Sequence, residues 1–377
     1  MATKATVEIP EAFSFLLDPP LGGTRYRVAH GGRGSAKCLA LGTRVIMADG
    51  SLRAVEDVRV GDRLLGPDSE PRTVWETTCG YGPLYRVRQS SGIEYVVNAD
   101  HVLSVKKSVS ARRDTRVMAS GRPRNPRGRY PEWPERANVA VVDFMGQSAR
   151  WQSHFRGHRA GLLCFPERPV LVDPYLLGLW LGDGHSRELR ITSADPEVVE
   201  YCRGIAEAHG GHLSPSPERK GEAITFGLLA VEGRENPIWR GFKQYGLADR
   251  VAGITSNKHI PPAYLSNAED VRLRLLAGLL DSDGHLSRNG YTIVQVSERL
   301  ARDIKYLADG LGFRTNIAEV TTYLGQRRGV AWRVSINGDT WRVPCLIPRK
   351  RVCREDVRKN KDFLLSMIEI EPAGEGA

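Results

Sequence analysis

Hydrophobic and polar positions alternate with a period of two through the first third of the chain, in short runs separated by turn residues. Thr43–Met47 and Leu52–Val55 flank residues 48–51, which carry the Asp-Gly pair typical of a tight hairpin. Tyr85–Gln89 and Ile93–Val97 continue the alternation around a second turn. Many short strands of this kind predict an all-β module.

Beyond residue 170 the pattern changes to strands followed by amphipathic helices. The expected strand–helix pairs are Leu189–Thr192 with Pro196–Ala208, and Tyr291–Ser297 with Glu298–Leu311. Two further runs, Phe313–Tyr323 and Val330–Ile336, alternate as half-buried strands do. The second half of the chain is therefore predicted to be an α+β domain.

This second half also contains an internal repeat. The nonapeptide LLGLWLGDG at 176–184 recurs as LAGLLDSDG at 276–284, so that Asp183 and Asp283 occupy equivalent positions. The spacing is long enough for one αββ-type unit per copy. A single copy is typical of a buried helix ending in Asp-Gly, whereas two copies at domain spacing indicate a duplicated architecture.

The two nonapeptides carry a family resemblance. The second is a near-complete match to the LAGLIDADG motif of homing endonucleases, and the first is a looser match. Between them, residues 258–261 read Lys-His-Ile-Pro and resemble the Lys-x-Ile-Pro element of the members borne by inteins. The resemblance implies two pseudo-symmetric αββαββ-like repeats.

That resemblance also implies a site. The motif helices would pack through Gly178 and Gly278, and Asp183 and Asp283 would meet at their ends and bind Mg²⁺. Lys258 would polarise the attacking water, with Lys350 a weaker candidate for the symmetric role. The residues expected to contact double-stranded DNA in the major groove are Arg314, Arg327, Arg328 and Arg333, and Lys350 is a further expected DNA contact.

The β module resembles the N-terminal splicing (Hint) region of an intein. The matching residues are Cys38-Leu39, Thr43-x-Val45, Asp49-Gly50 and Val60-Gly61-Asp62, and Asn98-Ala99-Asp100-His101 stands where the family has Thr-x-x-His. The resemblance implies that the Cys38 thiol attacks the Lys37 carbonyl, an N-to-S acyl shift. His101 would protonate the departing amine, and Asn98 would hold the scissile peptide.

The residues before Cys38 form a glycine-rich loop, Gly31-Gly32-Arg33-Gly34-Ser35-Ala36-Lys37. Gly31, Gly34 and Lys37 suit a phosphate-binding P-loop, but Ala36 replaces the glycine before the lysine and Cys38 replaces the Ser or Thr after it. The loop resembles the ATPase motif of phage terminase large subunits. An ordinary glycine-rich turn is the alternative, and the splicing resemblance favours a P-loop interrupted by an intein.

Composition adds the class of partner and the compartment. Lys and Arg number 54 against 44 Asp and Glu, a net charge of +10 that favours a polyanion such as DNA. The six cysteines are scattered without CxxC pairs, which predicts free thiols in a reducing cytoplasm and argues against structural zinc. No secretory signal and no membrane-spanning run are seen, so a cytoplasmic protein without membrane contact is expected. It is also expected to be a monomer.

The expected organisation has five parts: 1–37 the start of a terminase ATPase, 38–107 the splicing region, 108–170 a basic linker or DNA-contact region, 171–362 the endonuclease, and 363–377 the start of a C-terminal splicing region. The His-Asn ending of an intein is missing, which predicts a chain truncated before the end of the intein. An incomplete gene model, a frameshift and a natural split, with a separate C-terminal intein fragment as a partner, are the alternatives that stay open. Two other functions stay open, an ATP-driven packaging-motor fragment and a degenerate DNA-binding intein without nuclease activity.

Overall fold

The protein is described here from a computed structural model, which describes residues 39–77, 79–90, 92–108, 120, 133–185, 188–215, 224–230, 235–248, 258–324, 327–354 and 365–376. The glycine loop with Gly31, Gly34 and Lys37, and the adjoining Cys38, lie outside the described residues. The described elements surround two hydrophobic cores, one in the β-rich part and one in the α+β part.

The β-rich part consists of short antiparallel strands. In chain order these elements are β1 (Arg44–Ile46), β2 (Leu52–Ala54), β3 (Arg63–Leu65), β4 (Pro71–Thr73), β5 (Gly82–Gln89), β6 (Glu94–Asn98), β7 (Val102–Lys107), β8 (Arg136–Ala140), α1 (Val141–Gly146), α2 (Ala149–His154) and β9 (Phe155–His158). The expected hairpin is present, because β1 pairs with β2 and Gly50 takes φ +81° in its turn. The strands β5 and β6 form the second expected hairpin.

The α+β part contains two similar halves. Its elements are α3 (Pro174–Asp183), β10 (Arg190–Ser193), α4 (Pro196–Ala208), β11 (His212–Pro215), β12 (Ile224–Leu229), α5 (Pro237–Gln244), α6 (Pro262–Leu265), α7 (Glu269–Ser282), β13 (His285–Ser287), β14 (Gly290–Gln295), α8 (Glu298–Gly310), β15 (Arg314–Leu324) and β16 (Arg327–Asn337). The helix predicted at 196–208 is α4, and that predicted at 298–311 is α8, one residue shorter. The repeated nonapeptides form the C-terminal parts of α3 and α7.

The sheets of the two halves have the same strand order. In the second half the order is β13-β14-β16-β15, and in the first it is β10-β12-β11. An isolated antiparallel bridge between Gly184 and Ile191 stands beside β10, where β13 stands beside β14. The internal repeat seen in the sequence is thus a structural duplication.

Two strands near the C-terminus return to the β-rich part. They are β17 (Leu365–Ser366), which pairs with β9, and β18 (Ile368–Gly376), which pairs with β5. The resulting sheets have the orders β17-β9-β7-β8 and β18-β5-β6. Ile368 joins Val87, Val105 and Phe155 in the core between them.

The structure differs from the sequence expectation within the segment 108–170. Residues 136–158 are not a linker there, because β8 and β9 pair with the two edges of β7. Phe155 is fully buried and stacks on Trp151 with ring centroids 4.0 Å apart. The linker was predicted from the arginine-rich sequence that precedes this segment. The apolar residues of the segment itself determine its fold, because they pack in the core of the β-rich part.

Candidate active site

The helices α3 and α7 pack closely through their glycines. A methyl group on Gly178 would lie 2.3 Å from the Leu275 carbonyl oxygen, and one on Gly278 would lie 2.1 Å from that of Tyr175. Only glycine fits at such a distance, since real Cβ atoms essentially never come within 3.0 Å of other atoms. Asp173 caps α3 by accepting a hydrogen bond from the Leu176 amide at 3.0 Å, which fixes where the helix begins.

The close packing brings the two closing aspartates together. A methyl group on Gly182 would lie 3.4 Å from the Asp283 carboxyl carbon, so the end of α3 touches that of α7. Asp183 is open to solvent, but crowding by the helix ends removes part of its water shell and raises its pKa to about 6. The neighbouring Asp283 carboxylate acts in the same direction, because two like charges at short range oppose ionisation.

A lysine lies at the end of each helix. The Lys258 Nζ donates to the carbonyl oxygens of Gly182 and Gly184, at 3.0 and 2.8 Å. Burial lowers its pKa to about 8, although both aspartates act against the shift. The Lys350 Nζ donates to the carbonyls of α7 at Leu280, Asp281 and Ser282, at 2.9, 2.7 and 3.1 Å. Lys350, the weaker candidate in the sequence, thus occupies the place that mirrors Lys258.

A further side chain at this site escaped the sequence reasoning. The Gln295 Nε2 donates to the Asp283 Oδ2 at 2.6 Å, and Gln295 is 8% exposed. It lies at the end of β14, where the structural duplication places Ser193 in the first half. Since the two halves differ here, the repeat gave no signal for a glutamine.

The donor set of Asp183 and Asp283 fits a hard divalent cation. Magnesium is held in proteins by one or two carboxylates and completes its octahedral shell with water and substrate phosphate oxygens. The described residues contain no group of three or more His, Cys, Asp or Glu side chains that could hold a metal. A cation at the paired carboxylates would relieve the repulsion from Asp283 that adds to desolvation in raising the pKa of Asp183.

The expected DNA-contact arginines lie on β15 and β16. Arg333 is opposite Ala318, so it shares a sheet face with Arg314, and both arginines are exposed. The other face, with Val334 and Ile336, packs in the core. Arg327 and Arg328 begin β16, and their side chains are outside the described set.

In the β-rich part, Asn98 ends β6 and lies next to the start of the described chain. Leu39, which follows Cys38, forms an isolated bridge with Val97, and the Ala40 amide donates to the Val96 carbonyl at 2.9 Å. The His101 amide donates to the Asn98 carbonyl at 3.2 Å, and the His101 ring lies 6.5 Å from that of Tyr95. The two expected splicing residues are therefore neighbours beside the chain segment that leaves Cys38.

Two family models match the chain in the places that the fold indicates. Residues 38–124 match the Hom_end-associated Hint family, and residues 270–347 match the LAGLIDADG-like domain. The protein thus combines a β-rich Hint module with an α+β LAGLIDADG domain of two pseudo-symmetric repeats, as the sequence motifs predicted. This is the domain combination of an intein with a LAGLIDADG endonuclease.

The chain is similar to parts of several curated proteins. It is 34% identical over 289 residues to a replicative DNA helicase DnaB of Mycobacterium intracellulare, which covers 74% of the chain and 43% of the helicase. It is 36% identical to the catalytic subunit of the V-type proton ATPase of Candida tropicalis, over 80% of the chain and 37% of that subunit. The homothallic switching endonuclease of Saccharomyces cerevisiae is 29% identical over 31% of the chain and 22% of its own length. The chain therefore spans less than half the length of these relatives.

No helix in the described part of the chain combines the length and apolarity needed to cross a membrane.

Proposed function

We propose that this protein is an intein-borne homing endonuclease that cuts both strands of DNA at the site where its own coding sequence is absent. The observation that carries the proposal is the pair of carboxylates, Asp183 and Asp283, held side by side by two glycine-packed helices. A lysine stands at each helix end, so the site has two similar halves for two antiparallel strands.

The relatives support a mobile origin. A helicase and the catalytic subunit of a proton ATPase have unrelated functions. Each is nevertheless similar to this chain over less than half of its own length. A segment shared by such dissimilar proteins is expected of an inserted element. A third relative is named as an endonuclease.

In the nuclease, Asp183 and Asp283 would hold Mg²⁺. The cation would supply an activated water and stabilise the leaving 3′ oxygen when bound. Lys258 would orient the water or stabilise charge on the phosphate, since its Nζ is fixed beside the carboxylates. Gln295 would keep Asp283 in the orientation that ligation needs, because its amide already donates to that carboxylate.

The duplex would lie along the exposed sheet face that carries Arg314 and Arg333. Both side chains project from neighbouring strands of that face, and a two-stranded β-ribbon fits the major groove. The net charge of +10 would add sequence-independent attraction to phosphates, which weakens as salt rises. The pseudo-symmetry within one chain provides both half-sites, so the enzyme would act as a monomer.

The Hint module would begin protein splicing at Cys38. The Cys38 sulfur attacks the Lys37 carbonyl carbon, the peptide C–N bond breaks, and a thioester forms while the freed amine takes up a proton. His101 would deliver that proton, and Asn98 would hold the peptide carbonyl.

The host would be a large terminase protein of a phage, and the cell compartment the bacterial cytoplasm. The loop that ends in Lys37 lacks the Ser or Thr of a P-loop, and an intein must be followed by Ser, Thr or Cys. One hydroxyl residue after the intein would therefore serve both needs. It would complete splicing and then bind Mg²⁺ in the rejoined ATPase.

The nuclease proposal is tested with a plasmid that carries the uninterrupted terminase sequence. Incubation with protein and Mg²⁺ should linearise the plasmid, and Asp283→Asn should abolish cutting because it removes one carboxylate. Asp143→Asn, at an exposed position of α1, is the matched control and should cut as the wild type does. Binding without cutting by the wild type would instead indicate a DNA-binding intein whose nuclease has decayed.

The splicing proposal has a separate test. Dithiothreitol should release residues 1–37 by attacking the thioester, and mass spectrometry would detect the shortened chain. His101→Ala should reduce the release, since the amine then lacks its proton donor. ATP hydrolysis by this chain that is lost in Lys37→Ala would favour the motor alternative instead.

A further inference from the structure

The buried carboxylate of Asp281 is the main chemical difference between the two motif helices. The corresponding residue of α3 is Leu181, which is fully buried, whereas Asp281 is 4% exposed in the same kind of environment. A leucine therefore satisfies the packing at this position. Burying a carboxylate costs free energy unless hydrogen bonds offset the loss of water. Asp281 must be explained by its partners.

Those partners connect α7 to the segment that leads to Lys350. The Asp281 Oδ2 accepts from the Leu346 amide at 2.6 Å and from the Tyr175 hydroxyl at 2.7 Å. Leu346 lies four residues before Lys350, whose Nζ in turn donates to the Asp281 carbonyl oxygen at 2.7 Å. The side chain and the main chain of Asp281 thus hold the two ends of one short segment.

The same segment is fixed at other points. The Tyr291 hydroxyl donates to the Lys350 carbonyl at 2.5 Å, and the Arg349 guanidinium pairs with Asp195 of the first half at 2.9 Å. Helix α7 itself holds the segment at two points, the Leu346 amide through the Asp281 carboxylate and the Lys350 ammonium through the helix carbonyls. Without the carboxylate, both the amide and the Tyr175 hydroxyl would lose their acceptor.

The other lysine is held by a similar device. The Ile260 amide, two residues after Lys258, donates to the Asp303 Oδ2 at 3.0 Å. In both halves, a carboxylate on a helix thus fixes a main-chain amide close to the lysine. The carboxylates come from different helices, α7 for Lys350 and α8 for Lys258. This arrangement allows each lysine to be disturbed separately.

We propose that Asp281 is a positioning residue that aligns Lys350 and thereby controls the cleavage of one DNA strand, while Asp303 does the same for Lys258 and the other strand. The inference rests on the proposed nuclease function. It adds to that function a separate control of the two cuts, each through a hydrogen-bonded main-chain amide rather than through contact with DNA.

The test uses DNA with each strand labelled at a different end, cut in Mg²⁺ by the full chain. Asp281→Leu should slow one strand about tenfold or more relative to the other, so that nicked DNA accumulates. Asp281→Asn should restore most of the rate, because its amide oxygen can accept both hydrogen bonds. Asp303→Leu should slow the opposite strand, and this reversal separates positioning from general damage.

Tyr264→Phe is the structural control. Tyr264 is fully buried, and its hydroxyl donates to the Val172 carbonyl at 2.6 Å, so the variant loses a buried hydrogen bond away from both lysines. It should lower the melting temperature and leave the ratio of the two strand rates unchanged. Equal slowing of both strands by Asp281→Leu and Asp303→Leu would overturn the inference while the nuclease function stands. Absence of cutting by the wild type would overturn both.

Discussion

The closest approach of the two motif helices can be tested by adding a single methyl group. In Gly178→Ala, the new Cβ would lie 2.3 Å from the Leu275 carbonyl oxygen and 2.8 Å from the Leu279 nitrogen. Both are backbone atoms of α7 and cannot rotate away. Ordinary contacts begin at 3.4 Å, so the helices must separate locally by about 1 Å.

The expected magnitude follows from two opposing effects. Overpacking of a well-packed core costs about 1–3 kcal/mol. Alanine returns about 1 kcal/mol through its better helix propensity than glycine. The net loss in the free energy of unfolding should therefore be roughly 0–2 kcal/mol, whereas an unhindered Gly→Ala change in a helix would be a gain. The displacement should also slow DNA cleavage, because it moves Asp183 away from Asp283.

Urea unfolding monitored by tryptophan fluorescence measures this loss. Trp180 is fully buried on α3, two residues from Gly178, and reports on the helix pair. Gly204→Ala is the matched control, since Gly204 is an exposed residue of α4 with no atoms within 4 Å of an added methyl group. It should stabilise the protein by about 0.5–1 kcal/mol. If Gly178→Ala were as stable as Gly204→Ala, the reasoning about the helix contact would be refuted.

Three further predictions concern other parts of the protein. Gln295→Leu should slow single-turnover cleavage about tenfold with little change in DNA binding, because Asp283 loses the amide that orients it. Arg333→Ala should weaken DNA binding by about 1–3 kcal/mol and relax the preference at one base pair, measured by binding to a randomised library. The pKa of Asp62 is held below its ordinary value by the hydrogen bond from the Arg59 amide. The stabilisation that the ionised Asp62 gives the fold is present above the unfolded pKa of about 4 and is lost as pH falls through the folded pKa. Asp62→Asn should therefore make the melting temperature less sensitive to acid.

The first two of these have a matched control. Ser193→Ala changes the equivalent strand position of the first half and should leave cleavage unchanged. Arg302→Ala removes an exposed arginine of α8, on the opposite side of the sheet from Arg333, and should leave base preference intact. Acid sensitivity in Asp62→Asn equal to that of the wild type would contradict the assignment to Asp62.

Local patterns predicted much of this fold. The turn at 48–51 and the helix at 196–208 come from residues that are neighbours along the chain, and both are present. The repeated nonapeptide also indicated that two similar halves would meet. In these cases the chemical signal and the structural element occupy the same short stretch.

Contacts between distant residues were not predictable in this way. Gln295 reaches Asp283 only because β14 ends beside the end of α7, and Asp281 meets the Leu346 amide across 65 residues of chain. The pairing of β8 and β9 with β7 depends on a core to which Ile368 contributes from near the C-terminus. No local pattern contains such a partner.

The neighbouring strands β9 and β17 have a consequence for how the chain gained its large central portion. His158 is opposite Leu365 and Gly157 is opposite Ser366. The polypeptide chain therefore leaves the sheet after β9 and re-enters it at β17, about 5 Å away. More than two hundred residues thus connect two points of the sheet that are as close together as the ends of a short surface loop. If these residues were unstructured, the free-energy cost of closing them into a loop would exceed that of a six-residue loop by about 3 kcal/mol. A folded portion whose ends already lie close together avoids most of that penalty. Evolution can therefore add or delete this portion while the sheet keeps its hydrogen bonds.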